Sequence, residues 1–152
     1  MVRVGVGYDS HRFDPSRPLI LGGVHIPDAP GLSGHSDGDA IAHAVIDAIL
    51  GAGAAGDVGG HFPPGEEEWR GADSMALLAE SVRILSRKGY RPSNVDVVVI
   101  CERPKIATVV DDILPGLPDA VPADAQQIAQ SPAGDGHHGH HLEPTGLARG
   151  GV

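Results

Sequence analysis

The strongest constraint on the fold is the amphipathic pattern of residues 37–53, DGDAIAHAVIDAILGAG. Its apolar side chains recur every three to four residues, at Ile41, Ala42, Val45, Ile46, Ile49 and Leu50. An apolar stripe with this spacing predicts an α-helix that packs one face on a core. Ser36 or Asp37 can cap the start of this helix, and Gly51 can end it.

The segments before this helix have the period of β-structure. Residues 2–8 alternate valine with arginine or glycine, which predicts a strand with one buried face. Residues 18–27 are a second extended region, which Gly22 and Gly23 interrupt as a hairpin turn or a bulge. The glycine, proline and serine content of residues 29–36 predicts a loop.

The segments after the helix add further helices and one strand. The patterns predict a long glycine-rich loop over 51–69, an amphipathic helix over 72–89, a central strand over 94–101 and a short helix over 105–114. This order of elements predicts an α+β fold, with helices on one face of a mixed sheet of the four-stranded type.

Composition limits the classes of partner. The chain has 152 residues, the length of one domain, and a formal net charge of −9 at pH 7. This charge argues against nucleic-acid binding, because a phosphate backbone needs a basic face. It permits a small phosphorylated ligand if metal ions and backbone N–H groups supply positive charge locally. The lone Cys101 excludes an intramolecular disulfide. No apolar run is long enough for a membrane span and no signal-peptide pattern is present, so we expect a cytoplasmic protein.

The last part of the chain differs in composition from the rest. Residues 1–117 form the expected domain, whereas 118–152 are rich in glycine, proline, alanine and histidine and predict a flexible tail. Four histidines lie within residues 137–141. Such a run can bind divalent ions, but it is as often a low-affinity, tag-like segment without a dedicated role.

Asp9, His11 and His43 are the candidate metal ligands. Asp9 and His11 are two residues apart, so on a strand they point to the same side. His43 lies on the predicted helix with Asp39 and Asp47 four residues away on the same face, and either can orient its ring. One carboxylate and two imidazoles suit Zn²⁺ or a similar ion and leave a fourth position open. The alternatives are a core histidine at 43 and an ordinary surface triplet at 9–11.

Several other residues permit both a functional and a purely structural interpretation. His35 and Ser36 precede the helix start, where N–H groups can bind an anion, or they are part of a capping segment. Asp57, Val58 and Gly59 lie in the long loop with Phe62, and by themselves these residues predict a turn with a packed phenylalanine. Lys105, which follows Pro104, is either a phosphate or base contact or a solvated helix start.

The segments GYDSHRF, LILGGVHIP, GLSGHSDGDAIAHAVIDAILGAGAAGDVGGHFPP, WRGADSMALL and NVDVVVICERPKI together resemble one family. The resemblance is to the 2-C-methyl-D-erythritol 2,4-cyclodiphosphate synthases of the non-mevalonate isoprenoid pathway, in register from about residue 2 to residue 110. Its most specific element is the Asp-x-His pair combined with HSDGD-xxx-H.

The resemblance implies a homotrimer of α+β subunits with active sites between neighbouring chains. It implies a phosphorus–oxygen lyase that converts 4-diphosphocytidyl-2-C-methyl-D-erythritol 2-phosphate into the cyclic diphosphate and releases CMP. Asp9, His11 and His43 would bind Zn²⁺ or another divalent ion, and a second ion would be Mg²⁺ or Mn²⁺. His35 would stabilise the transition state. The substrate contacts would come from Asp9, Ser10, His11, His35, Ser36, Asp57, Val58, Gly59, Phe62, Pro63, Cys101, Pro104 and Lys105, with the segment from Cys101 to Lys105 holding the cytidine.

The resemblance ends before the last segment. Family members continue with diphosphate-binding threonines and a closing strand and helix, whereas this chain continues with QQIAQSPAGDGHHGHHLEPTGLARGGV after Ala125. Glu143 and Gly146 preserve an E-x-x-G spacing that resembles the one at the family's metal-binding glutamate. A shifted reading frame is one explanation, because the histidine codons CAC-CAC, displaced by one base, become ACC-ACC, which encodes Thr-Thr. If the sequence is genuine, we expect reduced activity, and the alternative function is an impaired homologue that still binds metal and nucleotide.

Overall fold

The computed structural model describes residues 1–113 and 126–131. The first element is a hairpin of strands β1 (Phe13–Leu21) and β2 (Val24–Leu32), paired antiparallel with Leu21 opposite Val24. Gly22 and Gly23 form its two-residue turn with φ of 57° and 78°, the left-handed conformation that such turns require. The predicted hairpin is confirmed. The predicted loop over 29–36 is wrong at residues 29–32, which belong to β2.

Two amphipathic helices pack together and form the core with this hairpin. Helix α1 (Ala40–Ala52) buries the predicted apolar stripe, with Ile46 and Leu50 fully enclosed. Helix α3 (Ser74–Arg87) packs against it, and both helices are confirmed. The predicted boundaries of α1 are wrong by a few residues, because Asp39 rather than Ser36 or Asp37 accepts the N-cap hydrogen bond from Ala42 N–H and the helix continues past Gly51.

The predicted loop over 51–69 contains two short helical segments, α2 (Val58–His61) and a 3₁₀ helix, Glu67–Trp69. Strand β3 (Val95–Ile100) is confirmed. The predicted helix over 105–114 is present as a 3₁₀ helix, Ile106–Thr108, followed by α4 (Val110–Ile113).

The N-terminal segment, residues 1–8, is not a strand in the structure. The valines Val2, Val4 and Val6 are exposed, whereas Gly5 and Gly7 face α1. A Cβ at Gly5 would lie 1.9 Å from the Ala48 carbonyl oxygen, and one at Gly7 would lie 1.8 Å from that of Ala44. The predicted strand is therefore wrong, although one face of the alternating segment is covered: the glycine face lies on α1, because only glycine allows the backbone to approach the helix this closely.

The tail that begins at residue 118 contains one element that the sequence pattern did not predict. Strand β4 (Gln126–Ser131) pairs in parallel with β3, with Val97 opposite Ile128. Its polar sequence lacks the apolar run expected of a buried strand, so pairing with β3 rather than composition defines it. The α+β class is confirmed, and within the described ranges the strands form two pairs, β1–β2 and β3–β4.

The histidines at 137–141, Glu143 and Gly146 lie outside the described residues. Among residues 1–113 and 126–131, none of the helices has both the length and the apolar character that a membrane crossing requires.

Candidate metal centre

The N-terminal segment brings Asp9 to the start of helix α1. Gly5 contacts the helix at Ala48 and Ala52, and Gly7 contacts it one turn earlier, at Ala44 and Ala48. Each two residues of the segment therefore advance by about one turn along α1, towards the N-terminus of the helix. Two residues beyond Gly7, Asp9 lies beside His43.

Asp9, His11 and His43 converge, as the spacing predicts. Asp9 Oδ2 lies 2.7 Å from His11 Nε2 and 3.1 Å from His43 Nδ1, and the two ring nitrogens are 3.4 Å apart. One donor atom from each residue lies within 4.8 Å of the others. All three side chains are half-buried, so the site is sheltered but open on one side.

The hydrogen bonds of His11 leave the correct nitrogen free for a metal ion. His11 Nδ1 lies 2.5 Å from the Ser33 carbonyl oxygen, which can only accept a hydrogen bond. The proton of the neutral ring therefore resides on Nδ1, and Nε2 presents a lone pair towards Asp9 and His43. Ligating histidines commonly donate their other N–H to a carbonyl in this way.

His43 is held by serines rather than by the predicted aspartates. Its Nε2 lies 3.0 Å from Ser36 Oγ and 3.0 Å from Ser74 Oγ. Asp39 instead accepts from the N–H groups of Gly22, Gly23 and Ala42, joining the hairpin turn to the start of α1. Asp47 accepts from Val58 N–H at 2.8 Å. The prediction that Asp39 or Asp47 orients His43 is therefore wrong, because both carboxylates are used by backbone N–H groups.

Ser74 was not singled out by the sequence reasoning. It is the first residue of α3, 31 residues after His43, and nothing in its local sequence distinguishes it from an ordinary helix start. Only the packing of α1 against α3 brings the two side chains together.

The electrostatics of the group favour a cation. Burial raises the pKa of Asp9, but hydrogen bonds with His11 and His43 outweigh it, so this pKa lies well below its usual range. The hydrogen bond with Asp9 raises the pKa of His11. Both shifts have the same cause, the contact of the Asp9 carboxylate with imidazole rings, and they favour positive charge beside this carboxylate. The donor set and the open side fit a divalent ion such as Zn²⁺.

Some of the other predicted site residues surround this centre. Ser10 is exposed, and its N–H donates to Asp9 Oδ1 at 2.9 Å. The loop of residues 33–39 carries Ser36, which is buried against His43, and His35, whose Nε2 lies 3.2 Å from the Glu66 carbonyl oxygen. The Arg17 guanidinium donates to two carbonyls of this loop and fixes its course.

Residues 57–63 lie beside the second half of α1. Asp57 caps α2 by accepting from Gly60 N–H at 2.7 Å, and Val58 is tied to Asp47, one turn beyond His43. Phe62 is buried and packs edge-on against Trp69, with ring centroids 5.2 Å apart. Gly59 is exposed and Pro63 is half-buried.

The segment that follows β3 shares a cavity with the metal ligands. This cavity, of about 640 Å³, is lined by Asp9, Ser10 and His11 on one side and by residues 97–104 on the other. Cys101 Sγ lies 3.6 Å from the Pro104 carbonyl oxygen. Lys105 is exposed at the start of the 3₁₀ helix. The cavity therefore joins the Cys101–Pro104 turn to the Asp9–His11 pair.

Fold and site together define an α+β protein with a cluster of one carboxylate and two imidazoles, the donor types that bind divalent ions. Its sequence matches the YgbB family over residues 2–143. It is 46% identical over 128 residues to the 2-C-methyl-D-erythritol 2,4-cyclodiphosphate synthase of Thermosynechococcus vestitus, covering 84% of this chain and 80% of that protein. It is 54% identical over 107 residues to the synthase of Symbiobacterium thermophilum, covering 70% and 68%.

Solved structures of such synthases are also similar to this chain. A CDP-bound 2C-methyl-D-erythritol-2,4-cyclodiphosphate synthase superposes with a TM-score of 0.80 at 35% identity, covering 86% of this chain and 89% of that one. The CDP complex of IspF from Plasmodium falciparum gives 0.71 at 31% identity, covering 86% and 81%. The chain belongs to the YgbB family, as the sequence resemblance indicates.

Proposed function

We propose that this protein is a metal-dependent 2-C-methyl-D-erythritol 2,4-cyclodiphosphate synthase. Its substrate is 4-diphosphocytidyl-2-C-methyl-D-erythritol 2-phosphate, and its products are the cyclic diphosphate and CMP. The observation that carries this proposal is the convergence of Asp9, His11 and His43 in a chain that belongs to the YgbB family. The curated relatives with this name are 46% and 54% identical to it.

The reaction needs no nucleophile from the protein. An oxygen of the 2-phosphate attacks the β-phosphorus of the same molecule, a new P–O bond forms, and the bond to the bridging oxygen breaks so that CMP leaves with the electron pair. The protein's contribution is to fold the substrate into an in-line geometry and to balance its charge. A bound divalent ion would neutralise phosphate oxygens and polarise the phosphorus.

Asp9, His11 and His43 would hold this ion, which we propose to be Zn²⁺, and their three donors leave a fourth position for a phosphate oxygen. A second ion, Mg²⁺ or Mn²⁺, would neutralise further charge on the diphosphate. The net charge of −9 makes such ions necessary, because the protein as a whole repels a polyanionic substrate.

The remaining site residues are assigned by position around this centre. His35 would stabilise the transition state, and Ser10 and Ser36 would flank the reacting phosphates. Asp57, Val58, Gly59, Phe62 and Pro63 would line the methylerythritol phosphate pocket. The connection of Val58 to Asp47, one turn beyond His43, supports this arrangement because it fixes the loop relative to the metal ligands.

Cys101, Pro104 and Lys105 would bind the cytidine portion. The support is that residues 101–104 line the same cavity as Asp9 and His11. Two structural relatives contain CDP. A nucleotide spanning this cavity would place its phosphates next to the metal ligands.

We also propose that the protein is a cytoplasmic homotrimer of subunits with a mixed four-stranded sheet, and that the N-terminal segment and β3 form the contact surface. The support is an unusual set of exposed apolar side chains on the N-terminal segment and β3, namely Val2, Val4, Val6, Tyr8, Val98 and Ile100. Clusters of exposed apolar side chains are typical of protein–protein interfaces. Val4→Asp should reduce the mass measured by light scattering, whereas Ala76→Asp, on the exposed face of α3, should not.

Release of CMP from the purified protein tests the proposal. With substrate, Zn²⁺ and Mg²⁺, we expect CMP and the cyclic diphosphate in equal amounts by ³¹P NMR and chromatography. His43→Ala should abolish turnover, and Ser81→Ala, which removes a buried hydroxyl bonded within α3, should not. We expect a rate below that of the relatives because the family's diphosphate-binding threonines are missing from this sequence. Binding of CDP and metal without CMP release would instead identify an impaired homologue.

A further inference from the structure

Helix α3 supplies a polar contact to His43 that the metal centre itself does not explain. Ser74 is fully buried, and its Oγ lies 3.0 Å from His43 Nε2, whereas the other ring nitrogen, Nδ1, faces Asp9 and His11. The same Oγ donates to Asp37 Oδ1 at 2.5 Å. The three side chains therefore form a continuous hydrogen-bonded series, His43–Ser74–Asp37.

The acceptor at the end of this series determines the direction of every hydrogen bond in it. A carboxylate only accepts hydrogen bonds, so the Ser74 hydroxyl proton is given to Asp37. The Ser74 oxygen then has only lone pairs to offer His43, and Nε2 must be the donor. Nδ1 of the neutral ring consequently carries no proton and faces Asp9 and His11.

Ser36 cannot impose this choice by itself. Its Oγ also lies 3.0 Å from His43 Nε2, but no carboxylate among the described residues takes its hydroxyl proton. Its other contacts are Gly38 N–H, which donates to it at 3.3 Å, and Ser74 Oγ at 3.3 Å, and neither is a group that can only accept. The Ser36 hydroxyl can therefore either donate to Nε2 or accept from it. Ser36 is therefore compatible with both tautomers, whereas Ser74 bonded to Asp37 is compatible with one.

Asp37 is itself held rigidly. Its Oδ2 accepts from Ser74 N–H at 3.0 Å, its Oδ1 accepts from Asp39 N–H at 3.1 Å, and its own N–H donates to the Ala72 carbonyl at 3.1 Å. Its charge lies at the N-terminus of α3, where the helix dipole favours an anion. This carboxylate thus joins the 33–39 loop to α3 and fixes the Ser74 hydroxyl.

We propose that Ser74 and Asp37 are positioning residues that keep the proton of His43 on Nε2 and so make Nδ1 the metal donor. The inference rests on the metal centre of the proposed function but not on the cyclisation reaction. A related effect is known in hydrolase triads, where replacing the aspartate by asparagine selects the wrong imidazole tautomer and lowers kcat about 10⁴-fold. In Asp37→Asn, the side-chain amide can donate to Ser74 Oγ. The Ser74 hydroxyl proton is then available to donate to His43 Nε2.

The test measures metal binding in the full-length protein, with Ser74→Ala, Asp37→Asn and Ser81→Ala as a control. Ser81 is also a fully buried serine of α3, but its hydroxyl donates to the Leu77 carbonyl within the helix. Competition with a chromophoric chelator gives the Zn²⁺ dissociation constant. We expect Ser74→Ala and Asp37→Asn to weaken binding by about 10- to 100-fold, as for other supports of metal-bound histidines. Ser81→Ala should change it less than about threefold.

The second readout is the His43 Nε2 proton in ¹⁵N-labelled, Cd²⁺-loaded protein. We expect cadmium coupling at Nδ1 and a slowly exchanging proton at Nε2, with much faster exchange in Ser74→Ala. A purely structural role for Ser74 would not move this signal. Asp37→Asn is nearly isosteric and provides a variant if Ser74→Ala folds poorly.

The proposal is overturned if Ser74→Ala and Asp37→Asn bind Zn²⁺ as tightly as the original chain. Equal weakening in Ser81→Ala also overturns it, because the effect would then be general. An inactive protein that shows both expected metal-binding results would contradict the proposed function alone.

Discussion

Gly7→Ala should impair both stability and metal binding, because Gly7 packs on α1 two residues before Asp9. A Cβ at this position would lie 1.8 Å from the Ala44 carbonyl oxygen and 2.7 Å from Ala48 N. Since carbon contacts normally lie at about 3.5 Å, the segment must retreat by about 1.7 Å. The obstacle is helix backbone, so no side chain can rotate away.

The magnitude follows from this displacement. Overpacking of a close contact costs about 1–3 kcal/mol, so we expect the free energy of unfolding to fall by about 2 kcal/mol. Metal–ligand distances tolerate only about 0.2 Å, so even partial transmission of the shift to Asp9 should weaken Zn²⁺ binding at least about tenfold.

Urea unfolding of the metal-free protein and chelator competition measure the two effects separately. The control is Gly51→Ala, on the exposed face of the last turn of α1, where no atom lies within 4 Å of the added Cβ. That change should stabilise the protein by up to about 1 kcal/mol, because alanine is the better helix former. If Gly7→Ala unfolds and binds Zn²⁺ like the original chain, the close packing of residues 5 and 7 on α1 is refuted.

Three further outcomes are expected. Asp39→Ala should lower the free energy of unfolding in urea by about 3 kcal/mol, against about 1 kcal/mol for Asp73→Ala, because the buried Asp39 caps α1 and also accepts from the N–H groups of the hairpin turn. Equal costs would contradict this. Ile46→Ala should cost about 2–5 kcal/mol, since its side chain is fully enclosed. In the metal-free protein, the hydrogen bond to Asp9 raises the pKa of His11. The His11–Asp9 pair therefore stabilises the folded state fully below the ordinary histidine pKa, and this stabilisation is lost as pH rises through the raised pKa. The melting temperature of the metal-free protein should therefore fall over that range more than that of His11→Gln, and Zn²⁺ should remove this fall.

Local sequence patterns were sufficient to predict those parts of the fold that depend on a single helix or turn. The apolar stripe of α1 and the Gly22-Gly23 turn each depend on neighbours in sequence, and both predictions are confirmed. The N-terminal segment shows where such reasoning stops. Its period of two was visible in the sequence, but which face is covered depends on the alanines of α1, so the sequence pattern did not identify the glycine face as the covered one. Strand β4 likewise depends on its partner β3 rather than on its own composition.

In the metal centre, too, some features follow from the local sequence and others only from tertiary contacts. Residue types and spacing predicted the donor set Asp9, His11 and His43, because carboxylate and imidazole chemistry is a property of the side chains themselves. Which nitrogen of each ring faces the metal is decided elsewhere, by the Ser33 carbonyl for His11 and by Ser74 for His43. Ser74 reaches His43 only because α3 packs against α1, so changes to that helix contact can alter metal affinity without touching a ligand. The sequence therefore predicts which residues bind, whereas tertiary packing determines through which atom they do so.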